Sequence, residues 1–299
     1  MTFEHYLTQQ HFSADSLQRY SSRIENYMRT DTQAKSYTYT DILHHLDQYG
    51  HSLSNDQKRR HLNTLKRYYD YLIETGQRND HPCKQLNIKT SSKKTPVFND
   101  LFSSEELASL LHREERYEKI KTKNQVLISL LIYQALTLQE ITNLKVQHID
   151  LDKESIYVKG GRVLSSRRLE IHPKQYLLLE QYIHHDRKKL LKGLRTKQKI
   201  TGQTNIKTDH LLFSFLNLPL TTDAINAFIE NLKPRFPDRN LCAKTIRDSV
   251  IANLLNEKKL PLEQVQLFAG HRWISSTARY QQAPMDEQKE ILNRFYPLG

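Results

Sequence analysis

The chemically informative residues of the chain lie near its C-terminus, where a histidine is followed nine residues later by a tyrosine. His271 comes directly after Gly270, and Tyr280 completes the spacing. Glycine is the usual residue at a left-handed helix end, so the helix-forming run 262–268 is predicted to stop there. Residues 275–277 are Ser, Ser and Thr, which are expected to cap a short helix carrying Tyr280. A phenol attacks only with cationic or hydrogen-bonding help, so this stretch alone also fits a buried structural tyrosine.

A pair of basic residues upstream supplies cationic, hydrogen-bonding groups that could assist the phenol. Lys244 and Arg247 lie three residues apart, on one face of a predicted helix that continues to Leu255. Arginine offers a planar fork of donors and lysine a point charge, and the two together suit a phosphate. The order of the residues therefore puts a phosphate-binding pair ahead of an imidazole and a potential nucleophile.

These residues resemble the signature of the tyrosine recombinases, also called phage integrases, and most closely that of their Xer-like members. Family members carry a [H/K]-x-x-R box, a (L)-G-H box, and a tyrosine nine residues beyond that histidine. Lys244/Arg247, Gly270-His271 and Tyr280 match in order and spacing. The resemblance implies that Tyr280 attacks a DNA phosphate while Arg247, Lys244 and His271 neutralise the developing charge. It implies no cofactor, neither nucleotide nor metal, because the covalent link keeps the bond energy.

A small antiparallel sheet is predicted inside the helical second half of the chain. Short strands are expected at 149–150, 155–159 and 167–172, with a tight turn at Gly160-Gly161. Lys159 stands beside that turn, where the family carries a lysine that protonates the leaving 5′ oxygen, and the resemblance implies the same role. Taken alone, Lys159 would read as an exposed turn lysine.

One position departs from the family pattern. The family's first catalytic arginine lies in a T-G-L-R-x-x-E-L motif, which corresponds here to Gln134-Ala-Leu-Thr-Leu-Gln-Glu-Ile141. Glu140 fits the acidic position that supports the site. Thr137 occupies the arginine position, and a hydroxyl supplies neither the charge nor the fork of donors.

Two explanations of Thr137 stay open. Another arginine reaches the phosphate, and the candidates by position are Arg162, Arg168 and Arg272. Alternatively, the enzyme is slow, specialised or inactive. Thr137→Arg is expected to raise the cleavage rate if no other arginine fills the site.

The composition favours a nucleic-acid partner. The chain of 299 residues has 45 Lys and Arg against 33 Asp and Glu, and the resulting net charge of +12 indicates a polyanionic partner. An anionic membrane surface also fits, but no long amphipathic helix carries the surplus. No apolar run approaches the roughly 18 residues of a membrane span, and the N-terminus lacks a signal-peptide pattern. The two cysteines favour a reducing compartment without a disulfide framework.

The predicted fold is mainly α, with two domains. Residues 1–88 are expected to form a helical DNA-binding domain that loosely resembles the SAM-like core-binding domain of Xer-like recombinases. Residues 89–99 are polar and basic, as a linker is, and residues 100–299 form the α-rich catalytic domain with its sheet and C-terminal tail.

The N-terminal domain has a helix with two distinct faces, which begins after Ser54. Its apolar residues recur at helical spacing and should face the core: Leu62, Leu65, Tyr69 and Leu72. Its basic face fits a solvated surface, but we prefer a contact with the DNA backbone. That face carries Arg59, Arg60, Asn63, Lys66 and Arg67.

The sequence therefore predicts a site-specific recombinase that acts on double-stranded DNA as a dimer to tetramer, with no membrane association. Its expected location is cytoplasmic and nucleoid-associated, in a bacterium or for a phage. The alternative is a DNA-binding or architectural protein of the same fold whose chemistry is lost, and Thr137 is the only support for it. A type IB topoisomerase shares the chemistry, but the Xer-like spacing and small N-terminal unit argue against it. The tail, Met285 to Pro297, is expected to dock on a neighbouring protomer or on its own domain.

Overall fold

The computed structural model describes residues 1–31, 33–50, 53–89, 100–112, 118–192, 208–214 and 218–281. The chain divides into two compact units, Met1–Lys94 and Thr95–Gly299. Residues 90–99 of the expected linker and the whole expected tail, 285–297, lie outside the described residues. Within the described ranges, none of the helices combines the length and the apolar character that crossing a membrane requires.

The first unit consists of helices packed around a tyrosine-rich core. The helices are α1 (Phe3–Gln9), α2 (Ala14–Thr30), α3 (Tyr39–Gly50) and α4 (Asn55–Glu74). A capping box starts α4, because Ser54 and Gln57 each accept a hydrogen bond from the other's backbone N–H. The predicted core residues of α4 are all buried, which confirms the face assigned to them: Leu62, Leu65, Tyr69 and Leu72.

The second unit is mainly helical around a small sheet, as predicted. Its first helices are α5 (Ser104–Ser109), α6 (Glu118–Tyr133) and α7 (Leu138–Asn143), followed by β1 (Ile149–Asp150), β2 (Ser155–Val158) and β3 (Arg167–Glu170). The later helices are α8 (Pro173–Gln181), α9 (Thr222–Glu230), α10 (Ala243–Asn256), α11 (Leu262–Ala269) and α12 (Ser275–Ala278). The strands pair antiparallel in the order β1-β2-β3.

In the core of the second unit, helix α6 packs against α10, the helix that carries Lys244 and Arg247. The apolar residues of α6 are buried on several sides, and α6 packs against both α8 and α10. Residues 126–132 of α6 are buried on every side, so this half of the helix lies at the centre of the unit. On α10, Ile246 and Val250 join the same core. This packing fixes the polar residues between them on α10.

Alternation along β3 decides which of its two arginines faces inward. Arg167 and Leu169 are buried, while Arg168 and Glu170 are exposed. Successive side chains of a strand point to opposite faces, so neighbouring arginines have opposite environments. Val158 of β2 pairs with Arg167, which fixes the register at this end of the sheet.

Candidate active site

The candidate site is built around a left-handed turn at the end of α11. Gly270 has φ 71° and ψ 22°, as predicted for a helix stop. Its carbonyl accepts a hydrogen bond from the backbone N–H of Ser165 at 2.9 Å, so the segment leading into β3 lies directly against it. A Cβ at Gly270 would come within 2.7 Å of the Nη1 atom of Arg167. The glycine therefore lets the turn approach this arginine closely.

His271 follows the turn and is held on both ring nitrogens. Its Nδ1 lies 2.9 Å from the hydroxyl of Thr277, and its Nε2 lies 3.4 Å from Nη2 of Arg247. Because a guanidinium only donates, Nε2 accepts and Nδ1 carries the proton of the neutral ring. Burial lowers the pKa of His271 to about 4, and the charges of Arg247 and Arg167 add to that effect. The imidazole is therefore neutral at neutral pH.

Arg247 projects from α10 and is 8% exposed. Its guanidinium donates to the backbone carbonyl of Ala135 and, at 2.6 Å, to that of Ala269. No carboxylate lies within salt-bridge distance of it among the described residues. Burial lowers the pKa of Arg247, but an arginine keeps its charge in proteins. A buried cation held by carbonyl dipoles and a neutral imidazole is a suitable partner for an anion.

Tyr280 lies two residues beyond the end of α12, rather than within that helix as expected. No side chain caps α12, so the predicted role of residues 275–277 as caps is wrong. The phenol is 5% exposed and donates a hydrogen bond to Oδ1 of Asp248 at 2.7 Å. Its ring stacks on His271, with the ring centroids 6.3 Å apart. Burial raises the pKa of Tyr280, and the charge and hydrogen bond of Asp248 raise it further.

Lys244 lies one helical turn before Asp248 on α10. Its Nζ is 2.5 Å from Oδ2 of Asp248, and its side chain is largely exposed. Asp248 thus binds the Tyr280 phenol with one oxygen and the Lys244 ammonium with the other. Lys244 is therefore linked to Tyr280 through Asp248.

Thr137 caps helix α7 and is fully engaged there. Its backbone N–H and its hydroxyl both donate to Oε2 of Glu140, at 2.8 and 3.0 Å. The same carboxylate accepts two hydrogen bonds from Arg167, at 2.5 Å on Oε1 and 3.3 Å on Oε2. Burial alone would raise the pKa of Glu140, but Arg167, the backbone N–H of Thr137 and the charge of Arg247 together outweigh it, so the pKa is lowered and the carboxylate is ionised.

The three arginines suggested by position lie elsewhere. Arg162 is exposed, and Arg168 is exposed on the outer face of β3 beside Tyr157. Arg272 is exposed and donates to the backbone carbonyl of Gly161 at 2.7 Å. None of the three contacts Glu140. Lys159 follows the end of β2 and is exposed.

Sequence reasoning missed two side chains of this cluster, Arg167 and Asp248. The alternation of Leu169 and Ile171 with polar residues was a usable signal, because it predicts that Arg167 faces inward with them. The spacing of Lys244 and Asp248 predicts their ion pair. The contact between Asp248 and Tyr280 joins two separate elements, and no local pattern indicates it.

The basic face predicted for the first unit lies on the outer side of α4. Arg59, Arg60, Asn63 and Arg67 are exposed, and Lys66 is half-buried. Two acidic neighbours partly offset its charge, since Asp56 lies 3.7 Å from Arg59 and Asp70 lies 3.5 Å from Arg67. The face is accessible to a ligand. No group of three or more His, Cys, Asp or Glu side chains suited to a metal ion occurs in the described part of the chain.

The fold and this site define a class of protein. The phage integrase family matches residues 101–287, and the chain belongs to that family. Among its relatives, tyrosine recombinase XerC of Oceanobacillus iheyensis is 25% identical over 305 residues, covering 99% of this chain and 95% of the relative. XerC of Staphylococcus epidermidis is 22% identical and covers 95% of this chain and 89% of the relative.

Solved structures share the fold. XerH site-specific recombinase bound to difH substrate, in a pre-cleavage complex, has a TM-score of 0.63 and 19% identity over 88% of this chain and 72% of that one. A lambda integrase dimer bound to a COC′ core site has a TM-score of 0.65 and 13% identity over 95% and 94% of the two chains. At these identities the likeness establishes the fold, which confirms the predicted tyrosine recombinase architecture.

Proposed function

We propose that this chain is a site-specific DNA recombinase that cuts and rejoins DNA through a 3′-phosphotyrosyl intermediate. The observation that carries the proposal is the convergence of Tyr280, Arg247 and His271 in one buried cluster. A phenol, a guanidinium without a carboxylate partner and a neutral imidazole suit attack on a phosphodiester. Membership of the phage integrase family supports the same reaction.

In the proposed reaction, the scissile phosphate binds beside Arg247 and His271. The phenolic oxygen of Tyr280 attacks phosphorus, and the bond from phosphorus to the 5′ oxygen breaks. The Tyr280 proton passes to Asp248, whose Oδ1 already accepts the phenol's hydrogen bond at 2.7 Å. Arg247 stabilises the negative charge that develops on the non-bridging oxygens.

The leaving 5′ oxygen takes a proton from Lys159, the role that the family resemblance implies. The products are then a 3′-phosphotyrosyl link and a free 5′ hydroxyl, with every proton accounted for. Lys244 supports Asp248 through their ion pair. Strand transfer reverses the same steps with a different 5′ hydroxyl.

We further propose that the partner is double-stranded DNA, bound by protomers that pair on it. The XerH structure contains its difH substrate, and the lambda integrase structure is a dimer on a core site. In this chain the accessible basic face of α4 is suited to the DNA backbone, through Arg59, Arg60, Asn63, Lys66 and Arg67.

Trapping on nicked DNA tests the proposal. The substrates are duplexes of the DNA that flanks the gene, with a nick close to the cleavage position. Cleavage releases the short fragment that carries the free 5′ hydroxyl. Without this hydroxyl the reaction cannot reverse, so the covalent adduct persists. Wild type should give a denaturant-resistant adduct in EDTA without nucleotide, and Tyr280→Phe should bind the DNA equally and give none. A wild-type chain that binds these duplexes tightly without forming adduct would instead support the DNA-binding protein whose chemistry is lost.

A further inference from the structure

The side chains described around α7 and α10 carry more positive than negative charge. Two buried guanidinium groups, Arg247 and Arg167, are each 8% exposed. Within the described ranges, Glu140 is the one carboxylate hydrogen-bonded to them, while Asp248 binds Lys244 and Tyr280. A buried cation without a counter-ion is costly, and a bound anion would remove that cost.

The two guanidinium groups approach the same short segment from different elements. Arg247 donates to the carbonyl of Ala269, and Nη1 of Arg167 lies 2.7 Å from the place of a Gly270 Cβ. His271 follows directly and contacts Arg247. The groups from α10, β3 and the turn thus converge beside the imidazole.

Arg167 also retains an unused donor. Its Nη1 and Nη2 each donate to Glu140, while its Nε is buried and has no hydrogen-bond partner among the described residues. Buried donors are nearly always paired, so an unpaired one on a cationic side chain requires an explanation. A phosphate oxygen is an acceptor that would satisfy it.

We propose that Arg167 supplies the guanidinium that Thr137 lacks, binding a non-bridging oxygen of the scissile phosphate opposite Arg247. This inference rests on the proposed function and names a second phosphate-binding residue in that site. Glu140 positions Arg167 with its side chain, while Thr137 fixes Glu140 through two hydrogen bonds. The departure from the family motif is then a relocation of the arginine from the start of α7 to β3.

The competing explanation is that Arg167 only neutralises Glu140. The test therefore removes both charges together, in Glu140→Gln/Arg167→Gln, where two amides can still hydrogen-bond and neither member of the Arg167–Glu140 ion pair is left without the other. Single-turnover adduct formation on nicked DNA should fall roughly 100- to 1,000-fold, the usual loss for one donor to a developing oxyanion. Added methylguanidinium at millimolar concentration should restore part of the rate in Arg167→Ala. A purely structural arginine predicts a near wild-type rate in the double variant and no rescue.

Arg168→Ala is the matched control, because it removes the same charge from the next position on the outer face of β3. It should stay within a few-fold of wild type at saturating DNA. Equal losses in Arg168→Ala and Arg167→Ala would overturn the inference, since a general loss of positive charge would then explain both.

Inorganic phosphate gives a readout that does not depend on cleavage. Phosphate binding, followed by phosphorus NMR, should weaken roughly tenfold in Glu140→Gln/Arg167→Gln and remain unchanged in Arg168→Ala. If wild type forms no adduct, the proposed function fails. Phosphate affinity alone then shows whether Arg167 is a phosphate-binding residue. Unchanged phosphate affinity in the double variant would overturn the inference in either case.

Discussion

The phenol of Tyr280 donates a hydrogen bond to Asp248 at 2.7 Å, and Asp248 is the direct neighbour of Arg247 on α10. The proposed nucleophile is thus held by the helix that also supplies Arg247, the arginine proposed to bind the phosphate. The second oxygen of Asp248 binds Lys244. In the resting chain the phenol keeps its proton, because burial and Asp248 raise the pKa of Tyr280. Attack therefore requires an acceptor for that proton, and Asp248 is already in hydrogen-bond contact.

Asp248→Asn should slow adduct formation by roughly 100-fold or more while leaving DNA affinity near wild type. The amide still accepts the hydrogen bond of Tyr280, but it cannot take the proton, and proton transfer typically contributes about 10²–10⁴ in rate. Single-turnover trapping with DNA affinity measured in parallel tests this. An Asn variant as fast as wild type would mean that Asp248 only holds the resting phenol.

Thr137→Arg should give no gain in the wild-type background. Arg167 already occupies Glu140, and the substitution removes the cap of α7, which costs roughly 0.5–2 kcal/mol. In Glu140→Gln/Arg167→Gln the same change should restore part of the lost rate. Rates of the single, double and triple variants measure this coupling, with Thr137→Ala as the control that loses the cap alone. A clear rate gain in the Thr137→Arg single variant would contradict the assignment of Arg167.

Gly270→Ala should lose both stability and cleavage rate. A positive φ costs an alanine roughly 1–2 kcal/mol, and here the added methyl group also meets Nη1 of Arg167 at 2.7 Å. Gly76→Ala is the control, because Gly76 has a similar φ of 69° with nothing within 4 Å of the added carbon. Both variants should lose free energy of unfolding in urea, but only Gly270→Ala should slow adduct formation. Wild-type cleavage by Gly270→Ala would show that the contact with Arg167 is not needed.

Acidification should destabilise the second unit through His271. In the fold the pKa of His271 is lowered to about 4 from an ordinary 6.5. The unfolded chain therefore binds the proton first as pH falls, and the stabilising contribution, complete above about pH 6.5, is lost between about pH 6.5 and 4. Thermal unfolding of wild type and His271→Gln over this range measures the effect. The variant should show a shallower decline, and identical declines would contradict the assigned pKa.

The sequence was sufficient for the elements that depend on local patterns. Gly270 ends α11 in the left-handed conformation, α4 begins after Ser54, and the strands pair antiparallel as predicted. The helix stop and the caps depend on residues a few positions apart, where propensity and hydrogen bonding act directly, and the paired strands follow one another in the chain.

The contacts between the separate elements of the site could not be predicted from local patterns. Arg167 reaches Glu140 across 27 residues, and Tyr280 reaches Asp248 across 32. Such contacts depend on how β3, α10 and the segment after α12 pack. The inward direction of Arg167 was available from strand alternation, while positional reasoning suggested Arg168 and other exposed arginines instead. The proposed replacement of the missing arginine by Arg167 therefore depends on tertiary contacts that positional reasoning did not reach.

Mapping the covalent link tests directly whether Tyr280 is the nucleophile. The adduct formed on nicked duplex DNA is digested with protease, and the peptide that carries the nucleotide is sequenced by mass spectrometry. We expect the nucleotide on Tyr280, attached through its 3′ phosphate, and a released strand with a 5′ hydroxyl that a polynucleotide kinase can label. Attachment to any other residue, a 5′-phosphoryl linkage, or an equal yield of adduct from Tyr280→Phe would contradict it.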